Sequence, residues 1–308
     1  MIENLANKLI KVTESAALAA HKLVGLGNEK KADQVAVDAM RTALNSIEIK
    51  GTIVIGEGER DSAPMLYVGE KVGTGTGHEI DIALDPLEGT TICAHYKQGA
   101  MSTLAATKKG SFLNAPDVYM EKIAVGKNLP HGVVSLSNSI EKNLNNLAQA
   151  NECEISNLVV TVLKRERHNE LISQIRKFGA RVKLIDDGDI AAVVSLVNGN
   201  SNMYIGIGGA PEGVLAAAAL SSLGGQIEGK LLFDTEQSKK RAKDLNIHDT
   251  EKIYTIKDMV KDESIFITTG ITNGELVNGI KCNHDSCSIS SLVILPNRVM
   301  RIETVTCF

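Results

Sequence analysis

The sequence predicts an α/β fold in which short strands alternate with helices. Apolar residues spaced three and four apart from Leu5 to Leu23 indicate an amphipathic helix over about 3–24. Runs with period-two alternation and β-branched residues, such as 51–56 and 79–84, indicate strands. At several places a strand is followed by a tight turn, an acidic residue and a helix. That order is expected where several turns meet at one edge of a sheet.

The remaining elements follow from the same two periodicities. Pro296-Asn297 joins the last two strands into a predicted hairpin, and Asn114-Ala115-Pro116-Asp117 predicts a turn into a short helix that carries Tyr119. The chain of 308 residues is long enough for one large domain or two joined halves, and we expect halves at 1–155 and 156–308. Further helices are predicted at about 32–47, 90–95, 140–150, 168–178, 190–197, 211–223 and 237–245, and further strands at about 101–107, 158–163, 180–185, 203–207, 264–269, 288–295 and 298–306.

Composition and charge exclude several classes of function. Hydrophobic residues make up 43% of the chain and charged residues 23%, as in ordinary globular proteins. The net charge of −4, with five Phe, five Tyr and no Trp, provides neither the basic surface nor the aromatic platform of a nucleic-acid-binding protein. The first residues do not resemble a secretion signal, and no apolar run is long enough to cross a membrane. We therefore expect no nucleic-acid partner and no membrane association.

The cysteine pattern predicts reduced thiols and a cytoplasmic protein. The five cysteines, at positions 93, 153, 282, 287 and 307, are odd in number and include no Cys-x-x-Cys pair. Cys282, His284 and Cys287 resemble part of a zinc site, but no second pair of ligands accompanies them. We interpret this segment as a loop.

The segment Asp85-Pro86-Leu87-Glu88-Gly89-Thr90-Thr91 is a candidate metal-binding turn. It follows the strand 79–84, and Pro86 and Gly89 are expected to end that strand abruptly. Two carboxylates and a hydroxyl are therefore delivered at the carboxyl end of a strand, where oxygen ligands suit Mg²⁺ or Mn²⁺. The helix that begins at Thr90 adds backbone N–H groups that could face an anion. The alternative is an ordinary turn with an aspartate cap.

Three further acidic positions have both a metal-binding and an ordinary interpretation. Asp33 lies near the inward face at the start of the second helix, as a metal ligand or as an acid that caps the helix or is stabilised by its dipole. The segment 57–61 places Glu57, Glu59 and Asp61 directly after a strand, as ligands at a sheet edge or as a solvated charge run. Glu212 follows Gly208-Gly209-Ala210-Pro211 at a strand-to-helix junction, where it binds a ligand or simply complements the helix dipole.

Two other segments are candidates for contact with an anionic substrate. Lys164-Arg165-Glu166-Arg167-His168 follows a strand, and its guanidinium groups match the geometry of a phosphate, although an exposed basic turn is the alternative. Asp186-Asp187-Gly188-Asp189 follows the next strand. The glycine position and the lack of a distal Glu exclude an EF-hand loop, which leaves a polar ligand site or a turn capped by Asp189.

The repetition of acidic turns favours a site with several metal ions. A helix cap needs a single acid, whereas most of these turns carry more than one. Carboxylates clustered at one edge would repel each other unless cations neutralised them. Together with the basic segment 164–168, this pattern predicts a metal-dependent enzyme that acts on a phosphorylated substrate.

These motifs resemble those of the class II (GlpX-type) fructose-1,6-bisphosphatases, within the lithium-sensitive, metal-dependent phosphatases that include inositol monophosphatase. The resemblance spans nearly the whole chain. Its matching segments are 51–59, 85–90, 112–117, 187–189 and 206–213. It implies a layered α-β-α-β-α sandwich and metal-dependent hydrolysis of the 1-phosphate of D-fructose 1,6-bisphosphate to fructose 6-phosphate, a step of gluconeogenesis and glycerol metabolism. It also implies two or three Mn²⁺ or Mg²⁺ ions and a homodimer or homotetramer.

The resemblance also implies roles for individual residues. Asp33 and Glu57 correspond to ligands of one metal ion, and Asp85, Glu88 and Glu212 to ligands of the others. In this assignment the N-terminal half holds most metal ligands, and the C-terminal half holds Glu212 and the substrate-binding loops. Thr90 orients or shares a proton with the attacking water, with Asp33, Glu57 or Asp61 as acceptor. The substrate contacts are Glu88, Gly89, Thr90, Tyr119, Arg165, Glu166, Arg167, Asp187, Gly188, Asp189 and Gly209.

Two positions depart from the family pattern, and two other functions remain open. Arg165-Glu166-Arg167-His168 stands where the family has Lys-Pro-Arg-His, and Glu29, followed by Lys30 and Lys31, stands where the family has a lysine. The first alternative is the same metal chemistry acting on sedoheptulose 1,7-bisphosphate or an inositol phosphate. The second is a non-catalytic regulator that binds a sugar phosphate.

Overall fold

The structure, a computed structural model, describes residues 2–58, 65–245 and 247–307. Its helices and strands alternate through the middle of the chain, and the mixture of the two confirms the predicted α/β class. They are α1 (Ile2–His21), α2 (Glu29–Asn45), β1 (Ile49–Ile55), β2 (Lys71–Val72), β3 (His78–Glu88), α3 (Thr90–Ala94), β4 (Met101–Lys108), β5 (Tyr119–Val125), α4 (Ile140–Ala150), β6 (Val159–Leu163), α5 (Asn169–Lys177), β7 (Arg181–Ile185), α6 (Asp189–Ser195), β8 (Met203–Gly209), α7 (Ala210–Leu223), β9 (Gln226–Leu232), α8 (Glu236–Asp244), β10 (Ile253–Thr255), α9 (Ile256–Met259), β11 (Ser264–Gly270), β12 (Lys281–Cys282), β13 (Ser286–Leu295) and β14 (Arg298–Cys307).

The chain forms two compact units whose boundaries differ from the predicted halves at residue 155. Unit 1 comprises Met1–Leu113 and Asp262–Phe308, and unit 2 comprises Asn114–Lys261. The reason is a long-range strand pairing: β11 lies antiparallel to β4, with Ile267 opposite Leu104. The C-terminal segment therefore completes the sheet of unit 1, which local sequence patterns cannot reveal.

Unit 1 is an eight-stranded sheet with α1 and α2 packed on one face. The order is β12-β13-β11-β4-β3-β1-β2, with β14 paired along the whole of β13. Most pairs are antiparallel, but β1 and β3 run parallel, so their carboxyl ends lie at the same edge. Buried side chains of the helices and the sheet form one core, which includes Leu9, Met40, Leu44, Ile82 and Leu104.

Unit 2 is a six-stranded sheet in the order β10-β9-β5-β8-β6-β7. Strands β6, β7 and β8 are parallel and β5 is antiparallel to β8. One face of the sheet packs against α4 and α5. On β5, Met120 and Lys122 point to the other face, where α7 covers them, because a methyl group added at Gly213 of α7 would touch both side chains. The core between the sheet and α4 and α5 includes Ile123, Leu144, Val160, Ile175 and Ile205.

Several local predictions need correction. The strand β3 does not end at Pro86, because the ladder to β4 is only interrupted there and resumes at Glu88 opposite Met101; proline lacks the N–H group that pairing requires. Tyr119 begins the strand β5 instead of lying on a short helix. The strands β5 and β9 were not predicted.

Cys282 and Cys287 form a disulfide between β12 and β13. The prediction of reduced thiols is therefore wrong for this pair, and the sulfur atoms are not available as zinc ligands. Cys93, Cys153 and Cys307 are free. None of the described helices combines the length and the apolar character needed to span a bilayer.

Candidate active site

The last residues of β3 place two carboxylates close together in unit 1. One oxygen of Asp85 and one of Glu88 lie within 4.8 Å of each other. Asp85 is half-buried and its Oδ1 accepts a hydrogen bond of 3.0 Å from the backbone N–H of Leu87, while Glu88 is buried with 5% exposure. Gly89, with φ +83°, then turns the chain into α3, whose first residue is the half-buried Thr90. The predicted grouping of Asp85, Glu88 and Thr90 at a strand end is thus present.

The parallel pairing of β1 and β3 carries Glu57 to the same edge. Ile55 is the register partner of Ala83, and Glu57 and Asp85 each follow two residues later. Glu57 is half-buried, and its N–H donates to the carbonyl oxygen of Leu66 at 3.1 Å. Glu57, two residues beyond the end of β1, and Asp85, within β3, are therefore at matching positions of neighbouring strands. Glu59, Arg60 and the predicted acceptor Asp61 lie outside the described residues.

Asp33 lies on α2 but does not cap it. The cap is Asn28, whose Oδ1 accepts a hydrogen bond of 3.0 Å from the N–H of Lys31, so the capping interpretation of Asp33 is excluded. Asp33 is half-buried, and burial raises the pKa of its carboxyl group. The loop before α2 is bound to α3 through the N–H of Gly27, which donates to the carbonyl of Ala94 at 2.9 Å. Asp33 is therefore on a helix whose start is attached to the helix of Thr90.

The donor set in unit 1 fits a hard divalent cation. Carboxylate and hydroxyl oxygens are the ligands that Mg²⁺ and Mn²⁺ prefer. Two carboxylates as close as those of Asp85 and Glu88 destabilise each other unless a cation or a proton neutralises them. The described residues of unit 1 thus suit a divalent metal ion.

In unit 2 three strand ends meet at one edge of the sheet. The parallel strands β6, β7 and β8 end at Leu163, Ile185 and Gly209, and β5 begins at the same edge because Tyr119 is the register partner of Gly209. The ends of these strands and the segments that follow them contain the other sequence-predicted residues. They are Arg165, Glu166 and Arg167 after β6, Asp187, Gly188 and Asp189 after β7, Gly209 as the last residue of β8, and Glu212 in the first turn of α7.

Arg167 is held in place by two different contacts. Its Nε and Nη2 donate to the carbonyl oxygen of Ile207 at 3.2 and 2.9 Å. Its guanidinium carbon lies 4.7 Å from the centre of the Tyr119 ring, a cation–π arrangement. Both Arg167 and Tyr119 remain exposed at the edge, so a fixed cation and a phenol hydroxyl are available to a ligand there.

Arg165 binds the next turn along the sheet. Its Nη1 donates to the carbonyl oxygen of Asp186 at 2.5 Å, and its Nη2 lies 3.8 Å from Oδ1 of Asp187. Both side chains are half-buried. Glu166, the departure from the family pattern, is exposed between the two arginines. The basic turn is thus a fixed structure joined to its neighbours through Arg165 and Arg167.

His168 is buried with 1% exposure and does not belong to an exposed basic cluster. Its Nδ1 lies 2.7 Å from the carbonyl oxygen of Leu163, and its Nε2 lies 2.8 Å from the N–H of Ile207. A carbonyl only accepts and an N–H only donates, so the ring is neutral with its proton on Nδ1. Burial lowers the pKa of His168, and the nearby Arg167 and Arg165 lower it further against the effect of the Leu163 carbonyl. This residue connects β6 to β8 beneath the basic turn.

Asp189 is the first residue of α6, and the cap before it is Gly188 with φ +83°. The N-cap interpretation of Asp189 is therefore wrong. Asp189 is buried with 6% exposure, and its Oδ2 lies 2.5 Å from Nζ of Lys122 and 3.3 Å from the hydroxyl of Tyr204. Lys122 was not recognised from the sequence. The missed signal is a single cation inside the strand pattern of residues 119–125, where an apolar residue is expected.

Glu212 lies in the first turn of α7, next to Pro211, as predicted. Its side chain folds back over Gly209, where a methyl group would collide with the carboxylate oxygen Oε2. Gly209 is therefore required for this placement. Glu212 is half-buried at the end of β8 and offers a carboxylate at the edge of the sheet of unit 2.

Comparisons with a family model and with known sequences match nearly the whole chain. A family model described as bacterial fructose-1,6-bisphosphatase, glpX-encoded, matches residues 3–306. A Prochlorococcus marinus (strain MIT 9312) protein named D-fructose 1,6-bisphosphatase class 2/sedoheptulose 1,7-bisphosphatase is 43% identical over 310 residues, covering 96% of this chain and 93% of its own. A protein of the same name from Synechococcus sp. (strain RCC307) is 42% identical over 323 residues, covering 99% and 96%.

A solved inositol monophosphatase from Anabaena (Nostoc) sp. aligns with 64% of this chain and 71% of its own at 14% identity and a TM-score of 0.33, a likeness too low to carry an argument. The family match and the two relatives together extend over nearly the whole sequence. The chain belongs to the glpX-encoded family of bacterial fructose-1,6-bisphosphatases.

Proposed function

We propose that this chain hydrolyses the 1-phosphate of D-fructose 1,6-bisphosphate to give fructose 6-phosphate and inorganic phosphate, in a reaction that requires divalent metal ions. The structural observation that supports it most directly is the close pair of carboxylates, Asp85 and Glu88, followed two residues later by Thr90 at the start of α3. The family supplies the substrate class. The names of the relatives add sedoheptulose 1,7-bisphosphate as a second substrate.

The proposed metal ligands are those implied by the family resemblance. Asp33 and Glu57 hold one ion, and Asp85, Glu88 and Glu212 hold the others, with two or three Mn²⁺ or Mg²⁺ ions in total. When bound, such ions withdraw charge from the phosphate oxygens and lower the pKa of a bound water. The half-buried positions of Asp33, Glu57, Asp85 and Glu212 support this assignment, since carboxylates in such positions are favoured by a nearby cation.

The chain's own residues position the water and accept its proton. Thr90 presents its hydroxyl at the start of α3, where it orients the attacking water or shares its proton. Asp33, Glu57 or Asp61 accepts that proton.

The substrate contacts come from the turns already described. Arg165 and Arg167 provide charge-assisted hydrogen bonds for the phosphate that is not cleaved, and Tyr119 contributes its hydroxyl. Asp187, Gly188, Asp189 and Gly209 contact the sugar, while Glu88, Gly89 and Thr90 contact the reacting phosphate. Glu166 adds a negative charge between the two arginines. We therefore expect it to give a lower affinity for the phosphate than a neutral residue at that position.

The test is phosphate release by the purified chain with Mg²⁺, Mn²⁺ or a chelator. We expect turnover of fructose 1,6-bisphosphate with Mn²⁺ or Mg²⁺, none with the chelator, and lower kcat/KM for inositol 1-phosphate than for either sugar bisphosphate. Binding of fructose 1,6-bisphosphate without phosphate release in any metal would instead favour a non-catalytic regulator. A higher kcat/KM for sedoheptulose 1,7-bisphosphate would reverse the order of the two substrates.

We further propose a cytoplasmic homodimer or homotetramer. The cytoplasmic location follows from the proposed sugar bisphosphate substrate alone. The assembly follows from family analogy and from the prevalence of symmetric homo-oligomers. Light scattering of the full chain, with and without Mn²⁺, measures the assembly directly.

A further inference from the structure

We propose that Lys122 is a positioning residue for the sugar-phosphate contacts of unit 2. Its ammonium group joins the start of α6, which follows β7, to the last residue of β8, and so fixes the distance between Asp189 and Gly209. This inference rests on the proposed function, which places both residues in contact with the substrate.

The contacts of Lys122 bridge two turns that are otherwise separate in sequence. Its Nζ lies 2.5 Å from Oδ2 of Asp189 at the start of α6 and 2.8 Å from the carbonyl oxygen of Gly209 at the end of β8. Lys122 is only 1% exposed and Asp189 only 6%. A fully buried lysine is rare unless it is paired, and here one cation satisfies two acceptors from different turns.

Two glycines make room for this side chain. A methyl group at Gly208 would lie 3.0 Å from Nζ of Lys122 and would collide with Asp189, and one at Gly213 would lie 3.2 Å from Cδ of Lys122. Gly208 and Gly213 lie on either side of the β8–α7 junction. Gly208 and Gly213 thus leave space for the buried side chain of Lys122.

Charge balance alone does not account for the arrangement. Oδ2 of Asp189 also accepts a hydrogen bond of 3.3 Å from the hydroxyl of Tyr204. The carbonyl oxygen of Gly209 accepts its side-chain hydrogen bond from Nζ of Lys122. A residue that served only to neutralise Asp189 would not need to reach Gly209. The contact to Gly209 therefore identifies the junction of β8 with α7 as the second segment that Lys122 positions.

The role predicts a specific kinetic signature. Asp189 and Gly209 act on the part of the substrate that does not react, so loosening them removes binding that is equal in the ground and transition states. Such a loss raises KM and leaves kcat nearly unchanged. Loss of a charge-assisted hydrogen bond network corresponds to a KM increase on the order of tenfold or more.

The first experiment compares K122M with the control K230M in the full chain. Lys230, on the neighbouring strand β9, also forms an ion pair, with Glu251 at 2.6 Å, but it touches neither turn. We expect K122M to raise KM for fructose 1,6-bisphosphate and to weaken binding of fructose 6-phosphate, measured by calorimetry with a chelator, by a similar factor. K230M leaves both values at the wild-type level. Unchanged KM in folded K122M, or a loss confined to kcat, would overturn the inference.

A second pair of variants covers the case in which K122M leaves Asp189 buried without its cation and fails to fold. D189N leaves the buried ammonium group of Lys122 without its carboxylate partner, whereas K122M/D189N removes both charges and buries no unbalanced charge. If Lys122 positions Gly209, the double variant has a higher KM than D189N. Equal KM values would show that Lys122 only balances Asp189. A wild-type chain without turnover contradicts the proposed function and is thereby distinguished from a failure of this inference.

Discussion

Replacement of His168 by leucine tests whether the basic turn of unit 2 depends on a buried hydrogen-bonded bridge. In the wild type Nδ1 donates to Leu163 and Nε2 accepts from Ile207, at 2.7 and 2.8 Å. Leucine fills the space but makes neither bond, so one carbonyl and one N–H are left buried without these partners. Each such group costs about 1–3 kcal/mol, so H168L should lose about 2–6 kcal/mol of unfolding free energy.

The matched control is H168N, because an asparagine amide nitrogen takes a position similar to that of Nδ1. It keeps a donor for Leu163 but has no group at the Nε2 position to accept from Ile207. We therefore expect H168N to lose roughly half as much stability as H168L. The Ile207 residue carries the carbonyl that binds Arg167, so KM should rise in the same order, with H168L above H168N.

The neutral state of His168 also predicts a pH dependence. Burial lowers its pKa in the folded protein below the ordinary value of 6.5, which the unfolded chain retains. Below about pH 6.5 the unfolded state therefore binds a proton that the folded state does not, and the free energy of unfolding falls as the pH decreases. The contribution is fully present above about pH 6.5. The difference in stability between wild type and H168N should therefore shrink between pH 7 and pH 5.

The assay is urea unfolding followed by circular dichroism, with hydrogen exchange of the segment that contains Ile207. H168L should accelerate exchange at Ile207 at denaturant concentrations where the protein remains folded. A stability loss below about 1 kcal/mol, with wild-type exchange at Ile207, would refute the bridge, because a single satisfied hydrogen bond already contributes that amount.

Three further predictions concern the other groups of the molecule. T90A should lower kcat on the order of a hundredfold or more with little change in KM, and T90S should keep most of the activity; an equal loss in both, in steady-state kinetics, contradicts a role for the hydroxyl. E57A and D85A should abolish Mn²⁺-dependent turnover and weaken Mn²⁺ binding in calorimetry. The control D38A, which replaces an exposed acid on α2, should change neither property. If E57A or D85A retains turnover, the residue it replaces is not a metal ligand. Alkylation of the unfolded, unreduced chain should label three of its five cysteines, and labelling of all five would exclude the Cys282–Cys287 disulfide.

The positions of the candidate residues were largely predictable because strand ends and turns have local signals. The β-branched run before Asp85, the glycine at 89 and the Ala-rich helix after Pro211 each mark a boundary through backbone preference alone. The turns after β6 and β7 and the junction of β8 with α7 lie where these signals place them, whereas β3 is interrupted at Pro86 instead of ending there. What local signals do not contain is the pairing of distant strands, such as β4 with β11, and so the predicted boundary at residue 155 differs from the structure.

The residues that hold the site together were missed for a different reason. A lysine in a strand normally projects to solvent, and a histidine beside two arginines normally belongs to an exposed basic patch. Lys122 and His168 are instead the most buried polar groups at the sheet edge of unit 2, because Asp189, Gly209 and Ile207 arrive there from elsewhere in the chain. Their partners are supplied by tertiary structure. The role of a buried cation or imidazole can therefore be interpreted only once the sheet order is known. At this edge, that order brings Lys122 to Asp189 and Gly209, and His168 to Ile207.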